Sequence, residues 1–410
     1  MIGLNASQPT PTRGDRVDPR PWNILTSEFP PDPGGVSDFC GVLARTLTDA
    51  GMSVKVWAPT RTSDSPNHSN FLENGAGRGS TIVERIPNLF QLDGRRTLER
   101  NLVRQRDRPR LLVQYVPNAF GMRGMNVGMC HWLARRRRLG DEIGVLFHEP
   151  FFYFGWQRPQ RNLLALIQRY MAWTLMRGAS KVYVSTPTWE RYLQPYARPG
   201  KLRFIWLPLP ATLPVVNDPQ GVSERRAGFV TLDADSNLFG HFGTYGADIA
   251  EPLEALLPSL LNPQPSAHFL CIGRRSDHFC SQFQSSHPQL AARVHSTGDL
   301  NPTEASLHIQ ACDVFIQPYP DGVTARRTSV INLLAHGCAV VTTQGKLTED
   351  FWDSSKSCLL VLPTDVQGLV NTALEVGSSP QSIALCGSRA KAFYDKTFHP
   401  HRLMQCLMME

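Results

Sequence analysis

Val314-Phe315-Ile316-Gln317 is followed by Pro318-Tyr319-Pro320-Asp321-Gly322-Val323-Thr324-Ala325-Arg326-Arg327-Thr328-Ser329, and then by an apolar run from Val330 to His336. The first four residues read as a strand buried on both faces, the kind found in parallel sheets. Pro318, Pro320 and Gly322 break any regular element. The run after Ser329 reads as a helix. Strand, loop and helix in that order are half of a βαβ unit, and they put the loop at the carboxyl edge of a parallel sheet. A helix start there offers free backbone N–H groups and a partial positive charge, which attract phosphate. Arg326 and Arg327 add cations able to grip phosphate oxygens, and Ser329 offers a hydroxyl or a cap.

Around this unit the same alternation repeats. Strand signals occur at 237–242, 267–272, 294–296, 339–342 and 359–361, with helical patterns between them. Upstream, Trp22 to Thr26 reads as a strand, Pro30 to Gly35 as a turn, Phe39 to Leu47 as a helix, and Ser53 to Trp57 as a strand. Apolar strands follow at 111–116, 143–147 and 181–185, with helices over roughly 125–138 and 161–177. The predicted architecture is α/β, two Rossmann-like doubly wound domains facing across a cleft. Residues 1–21 read as a disordered leader and 22–208 as the first domain. The proline-rich interval 209–228 reads as a linker and 229–385 as the second domain. Residues 386–410 read as a helical tail able to cross back to the first domain. The Ser-, Asn- and Gly-rich stretch 60–80 reads as a mobile loop.

The 410 residues carry 42 basic and 35 acidic side chains, a net charge of +7. Such an excess suits anionic partners without choosing among them. No run approaches the ~18 apolar residues of a membrane span, and the start lacks the pattern of a secretory signal. The nine cysteines include no C-x-x-C pair, so they read as reduced thiols with no metal site, in a cytoplasmic protein. Basic runs without interleaved aromatics argue against nucleic acid. Arg135 to Arg138 close a helix, where cations oppose the dipole.

Other residues gather at the expected cleft. The loop Gly240 to Gly246 follows the first strand of the second domain, and its glycines would let a diphosphate approach Gly243, Thr244 and Gly246. Its G-x-x-G-x-x-G spacing is not that of a dinucleotide fingerprint, and a plain turn would look the same. Gly34 and Gly35 lie between the first strand and first helix. His148 and Glu149 end a strand. His148 suits either proton transfer or a structural role. Asn118 is a lesser polar candidate. Phe151 to Phe154 and Trp156 are aromatic enough to meet a sugar ring, a core or lipid. Together with Arg161, Arg169, Tyr170 and Trp173 they fit an interfacial helix as well as a core helix with basic ends.

Three stretches carry a resemblance. Glu28 to Val36 is similar to the glycine loop that opens family 4 glycosyltransferases of the retaining GT-B class. Ala311 to Tyr319 resembles their strand with a leading Asp, and Ala335 to Val341 their helix-to-strand passage, with Ala339 replacing a proline. The resemblance spans about residues 22–385. It implies a nucleotide-sugar donor on the second domain and an acceptor (carbohydrate, lipid-linked or small molecule) on the first. It also implies retention of anomeric configuration, and no metal or other cofactor is expected, since the arginines and the helix dipole can do what a divalent cation does elsewhere. The family's two glutamates, eight positions apart, fall on Thr324 and Asn332, and the basic pair after the second domain's first strand is missing. Asp321 and Gly322 then become donor-side candidates with Thr324, Ser329 and Asn332. The roles expected on this reading are leaving-group stabilisation by Arg326, Arg327, Ser329 and the helix N-terminus, and contact with the transferred sugar or the acceptor by His148. A noncatalytic nucleotide-sugar binder, or a phosphorylase or epimerase of the same fold, is the alternative. Peripheral contact with the inner face of a membrane fits the aromatic and basic stretch.

Overall fold

The computed structural model describes residues 20–32, 34–60, 70–72, 79–155, 160–197, 202–230 and 236–409. Most of the leader, most of the 60–80 loop and Trp156 lie outside them.

The first domain begins with β1 (Trp22–Leu25), α1 (Gly35–Asp49), β2 (Val54–Pro59), β3 (Asn70–Leu72) and β4 (Thr81–Ile86). It continues with α2 (Leu92–Val103), β5 (Arg110–Tyr115), α3 (Val127–Arg138), β6 (Glu142–Phe147) and α4 (Gln160–Gly178). It closes with β7 (Lys181–Val184), α5 (Thr188–Leu193) and β8 (Phe204–Trp206). Its strands form one sheet in the order β3-β4-β2-β1-β5-β6-β7-β8. Every pairing is parallel except that of β3 with β4, inside the stretch expected to be a loop.

The interval 209–228 is not bare linker. It contains α6 (Pro219–Ala227), capped by Asp218, whose carboxylate accepts from the Gly221 N–H at 2.9 Å. Arg225 of α6 reaches Glu304 of the second domain at 2.9 Å, so the helix is held there. The second domain then runs β9 (Leu238–Phe242), α7 (Ala247–Leu261), β10 (His268–Ile272), α8 (Ser276–Ser286) and β11 (Val294–Ser296). Next come α9 (Pro302–Ala311), β12 (Val314–Gln317), α10 (Thr328–Ala335), β13 (Ala339–Thr343) and α11 (Asp350–Ser355). The chain ends with β14 (Leu359–Val361), α12 (Val366–Gly377), α13 (Pro380–Thr397) and α14 (Pro400–Met408). The sheet order is β11-β10-β9-β12-β13-β14, all parallel.

Each sheet is covered on both faces, as parallel sheets require. In the first domain one apolar cluster lies beneath α2, α3 and α4, and another beneath α1. The second of these is completed from the far end of the chain, since Leu403, Cys406 and Leu407 of α14 pack with Phe39, Leu43 and Leu47 of α1. The Lys181 ammonium donates to the Met409 carbonyl at 2.7 Å on the same side. Residue 385 falls inside α13, which packs on the second domain, and α14 makes the crossing. The domains also meet at an aromatic joint. Trp206 of β8 stacks on Phe351 at 5.2 Å and meets Phe398 edge-on at 5.9 Å.

Candidate functional site

The loops after β6 and β7 face the loops after β12 and β13 across the cleft. Beside them, between α1 and the loops after β9, β10 and β11, a cavity of about 250 Å³ is lined from the second domain by Phe242, Gly243, Arg274, Asp299, Thr328 and Ser329. Asp38 of α1 closes it from the first domain. The start of α10 opens onto this cavity. A Cβ added to Gly243 would sit 3.9 Å from the Ser329 Cβ, so the loop after β9 and the α10 N-terminus form one edge. Ser329 Oγ lies 2.7 Å from the Tyr319 hydroxyl, which donates to Gln317 Oε1 at 2.9 Å. Arg327 stacks its guanidinium over the Tyr319 ring at 4.2 Å. It has no carboxylate partner among the described residues, so its N–H groups remain available to an anion. A helix start and a glycine loop share this edge, and an uncommitted arginine stacks on the tyrosine that meets Ser329, an arrangement suited to cradling a diphosphate.

Arg326 goes elsewhere. Its guanidinium lies 3.3 Å from Glu149 and over the Trp189 ring at 4.9 Å, so it bridges to the first domain. The adjacent arginines therefore divide between cradle and closure. Asp321 also faces away, to Lys346 at 3.1 Å. Gly322 has φ +86, and a Cβ there would sit 2.2 Å from the Gly345 nitrogen. Its place is thus set by the close approach of two loops. Thr244 is exposed beside the cradle, and Gly246 precedes α7.

The two positions of the missing glutamates differ from one another. Asn332 is buried, and its Oδ1 accepts from the Thr212 and Leu213 N–H groups at 2.9 Å, while its Nδ2 donates to Thr212 Oγ1 at 3.2 Å. Its amide is spent on holding the interdomain segment, although the residue borders the cavity. Thr324 is buried with a hydroxyl that has no hydrogen-bond partner among the described residues. A carboxylate does stand nearby, from another loop. Glu349 is buried and accepts from the Ala325 N–H at 3.2 Å, the Trp352 indole at 2.8 Å and the Thr186 hydroxyl of the first domain. Burial pushes its carboxyl up, opposed by those donors.

On the first domain, His148 is buried against Phe39, and its Nε2 lies 2.8 Å from Gln114 Oε1. Burial, reinforced by Arg326, lowers its pKa to about 3, so the ring is neutral at physiological pH. His241 behaves alike. Its Nδ1 donates to the Ile316 carbonyl at 2.9 Å, and burial lowers its pKa to about 4. Both imidazoles bind protons more readily in the unfolded chain, near 6.5, than in the fold. Stability from these sites is full above pH ~6.5 and is lost as pH falls toward 4 and 3, by about 1.4 kcal/mol per unit and per histidine. Urea unfolding at stepped pH should show this slope, and a His241→Gln variant should reduce it. An unchanged slope would contradict it.

Gly34 serves a local need. Its missing Cβ leaves room for Glu28, whose Oε1 would lie 2.3 Å away and which accepts from the Ser37 N–H at 3.0 Å. Glu28 thereby takes the α1 N-terminus, where an anion would otherwise be drawn. Gly35 is exposed and open. Asn118 is exposed, 3.4 Å from Gln168 Nε2. Arg274 and Asp299 escaped the sequence reading. Arg274 follows β10, one strand over from where a basic pair was sought, and Gly273-Arg274-Arg275 after an apolar strand was the available signal.

Residues 239–378 match the family model described as glycosyl transferases group 1. No curated protein sequence matches the chain significantly. Among solved structures, the sucrose-phosphate synthase from Thermosynechococcus elongatus has a TM-score of 0.69 at 17% identity, covering 95% of this chain and 97% of that one. Anabaena HepE in complex with UDP-glucose has a TM-score of 0.62 at 16% identity, covering 94% and 98%. A trehalose-6-phosphate synthase has a TM-score of 0.66 at 13% identity, covering 95% and 99%. The chain has the two-domain GT-B fold of these glycosyltransferases, and its second domain carries the sequence pattern of the group 1 transferases.

Proposed function

We propose that the protein is a glycosyltransferase that moves a sugar from a nucleoside-diphosphate donor to an acceptor with retention of anomeric configuration. The observation that carries this reading is the shared edge of the cleft cavity formed by the α10 N-terminus and Gly243, with Arg327 next to it, stacked on the Tyr319 ring whose hydroxyl meets Ser329. Negative charge builds on the diphosphate as the glycosidic bond breaks. Donors fixed in advance around it lower that barrier without reorganising. Arg274, on the cavity wall and 3.7 Å from Asp299, adds further N–H donors. The acceptor then attacks from the face the diphosphate vacates, and the diphosphate takes its proton. His148, neutral and held by Gln114, lines the acceptor side as a fixed dipole rather than a proton carrier. The reaction uses no metal, since the arginines and the helix start supply the charge, and full activity in the presence of a chelator is expected. The acceptor is a carbohydrate, a small molecule or a lipid-linked sugar, and the nine unpaired thiols fit a reducing compartment such as the cytoplasm.

A second reading has its own observation. With Thr324 and Asn332 in place of two carboxylates, and the Asn332 amide occupied by Thr212 and Leu213, the chain would bind a nucleotide sugar without turning it over. One experiment addresses both. Thermal unfolding is followed across a panel of nucleotide sugars, UDP-glucose first because related folds are named with it. Donor consumption and product anomers are then read across an acceptor panel. A donor at 100 times its Kd should stabilise the chain by about 2.7 kcal/mol. No shift with any nucleotide sugar defeats both readings. A shift without turnover favours the binder.

A further inference from the structure

α4 is apolar on two sides, and only one is buried by the described residues. Ala165, Met171, Ala172, Leu175 and Met176 enter the first domain's core. On the other side Leu163, Leu166, Tyr170, Trp173 and Arg177 recur at intervals of three and four, which aligns them in one stripe. Leu163 is 65% exposed, Leu166 55% and Tyr170 43%. Phe154, 53% exposed, flanks the stripe with Arg169 stacked on its ring at 4.0 Å. A solvent-facing helix ordinarily carries polar residues at such positions.

The surroundings of the stripe are cationic. α3 and α4 pack closely, and a Cβ on Gly178 would sit 2.7 Å from the Ala134 Cα. Between their ends lies a groove of about 470 Å³ lined by His131, Arg137, Arg138, Tyr170, Trp173 and Arg177. Arg177 lies over the Trp173 ring at 4.2 Å. Arg135, Arg137, Arg138 and Arg177 have no carboxylate partner among the described residues. Between residues 92 and 178 the sequence has sixteen arginines, no lysine and six acidic residues, a net of ten positive charges. The chain as a whole carries seven. The basic excess is therefore concentrated in the segment that holds α2, α3 and α4.

We propose that this face docks on an anionic lipid bilayer. Leu163, Leu166, Tyr170 and Phe154 enter the headgroup boundary, while Arg137, Arg138 and Arg177 engage lipid phosphates. Aliphatic and aromatic side chains flanked by guanidinium groups match both layers of such a surface, apolar below and negative above. No helix of the described residues is long and apolar enough to cross a membrane, so the contact is one of lying on the surface. This inference does not depend on sugar transfer.

The test is flotation of the full chain with phosphatidylcholine vesicles, with and without phosphatidylglycerol, and needs no donor or acceptor. The chain should float with the anionic vesicles at low salt, stay behind with the neutral ones, and be released as salt rises. Leu163→Ser with Leu166→Ser should abolish flotation. Arg137→Ser with Arg138→Ser should weaken it about five-fold per arginine. Leu385→Ser, an equally exposed leucine on the other domain, should change nothing. Circular dichroism confirms that the variants fold, and the replaced side chains are all exposed. Failure to float with anionic vesicles, equal flotation with neutral ones, or wild-type flotation of either double variant overturns the proposal. So does binding of RNA or an acidic protein by this face when vesicles are ignored.

Discussion

Replacing Arg327 with alanine is expected to lower kcat by about 10²–10³-fold while leaving the fold intact. The guanidinium stands over Tyr319 beside the α10 N-terminus, with no carboxylate to neutralise it among the described residues. Its charge is thus held in place before the donor arrives and has no competing use. Lysine at this position would keep the charge but lose the planar stacking on Tyr319 and the paired N–H geometry, so it should rescue only part of the rate. The neighbouring Arg326 makes the contrast. It spans the cleft to Glu149 and Trp189, so Arg326→Ala should act chiefly through KM, by weakening the contact between domains. Rate constants at saturating donor separate the two. Undiminished kcat in Arg327→Ala would remove this arginine from the leaving-group role.

The other large effect is on stability. Glu349→Ala is expected to cost about 3 to 5 kcal/mol, because one side chain satisfies donors from three places. Ala325 N–H belongs to the cradle loop, the Trp352 indole to α11, and the Thr186 hydroxyl to the first domain. Without the carboxylate, all three donors are buried with no acceptor. Gln would keep the shape but turn an amide N–H₂ toward a donor, so Glu349→Gln should lie between alanine and the parent. Urea unfolding followed by tryptophan fluorescence reads the loss. Thr186→Val, which removes one donor instead of the acceptor, should cost far less. Equal costs for Thr186→Val and Glu349→Ala would mean that the effect comes from the domain contact alone.

The parallel sheets were legible because buried parallel strands announce themselves as apolar runs, as at 111–116, 143–147 and 314–317. Elements with polar faces were harder to read. β4, Thr81-Ile82-Val83-Glu84-Arg85-Ile86, carries charges, and half of α2 is arginine, acid and asparagine, with two core leucines, Leu98 and Leu102. α6 is held by Asp218 and an ion pair to Glu304, neither of which gives a periodic signal. In the site, local chemistry was readable and long-range pairing was not. The loop 318–329 stood out by its prolines, glycine and arginines. That its two arginines diverge depends on Glu149, Trp189 and Tyr319, two of them more than 130 positions away in the chain. The same holds for Asn332, whose amide is claimed by residues 120 and 119 positions upstream. The outer stripe of α4 was ambiguous in sequence because the helix is apolar on both sides, and only the packing tells which side is spare.

The chain passes between the domains twice, once after β8 and once between α13 and α14, and both passages lie at the Trp206, Phe351 and Phe398 joint. Two strands of covalent chain side by side act like two pins of a door. Motion of one domain against the other is confined to a swing about the line through them, and a free swivel or a sliding displacement would strain one passage or the other. The cleft then opens and shuts along a single arc, with Thr212 and Leu213 of the first passage on its cavity wall. Arg326 to Glu149 bridges the gap that this swing closes, whereas Glu349 to Thr186 lies beside the joint, two residues from Phe351.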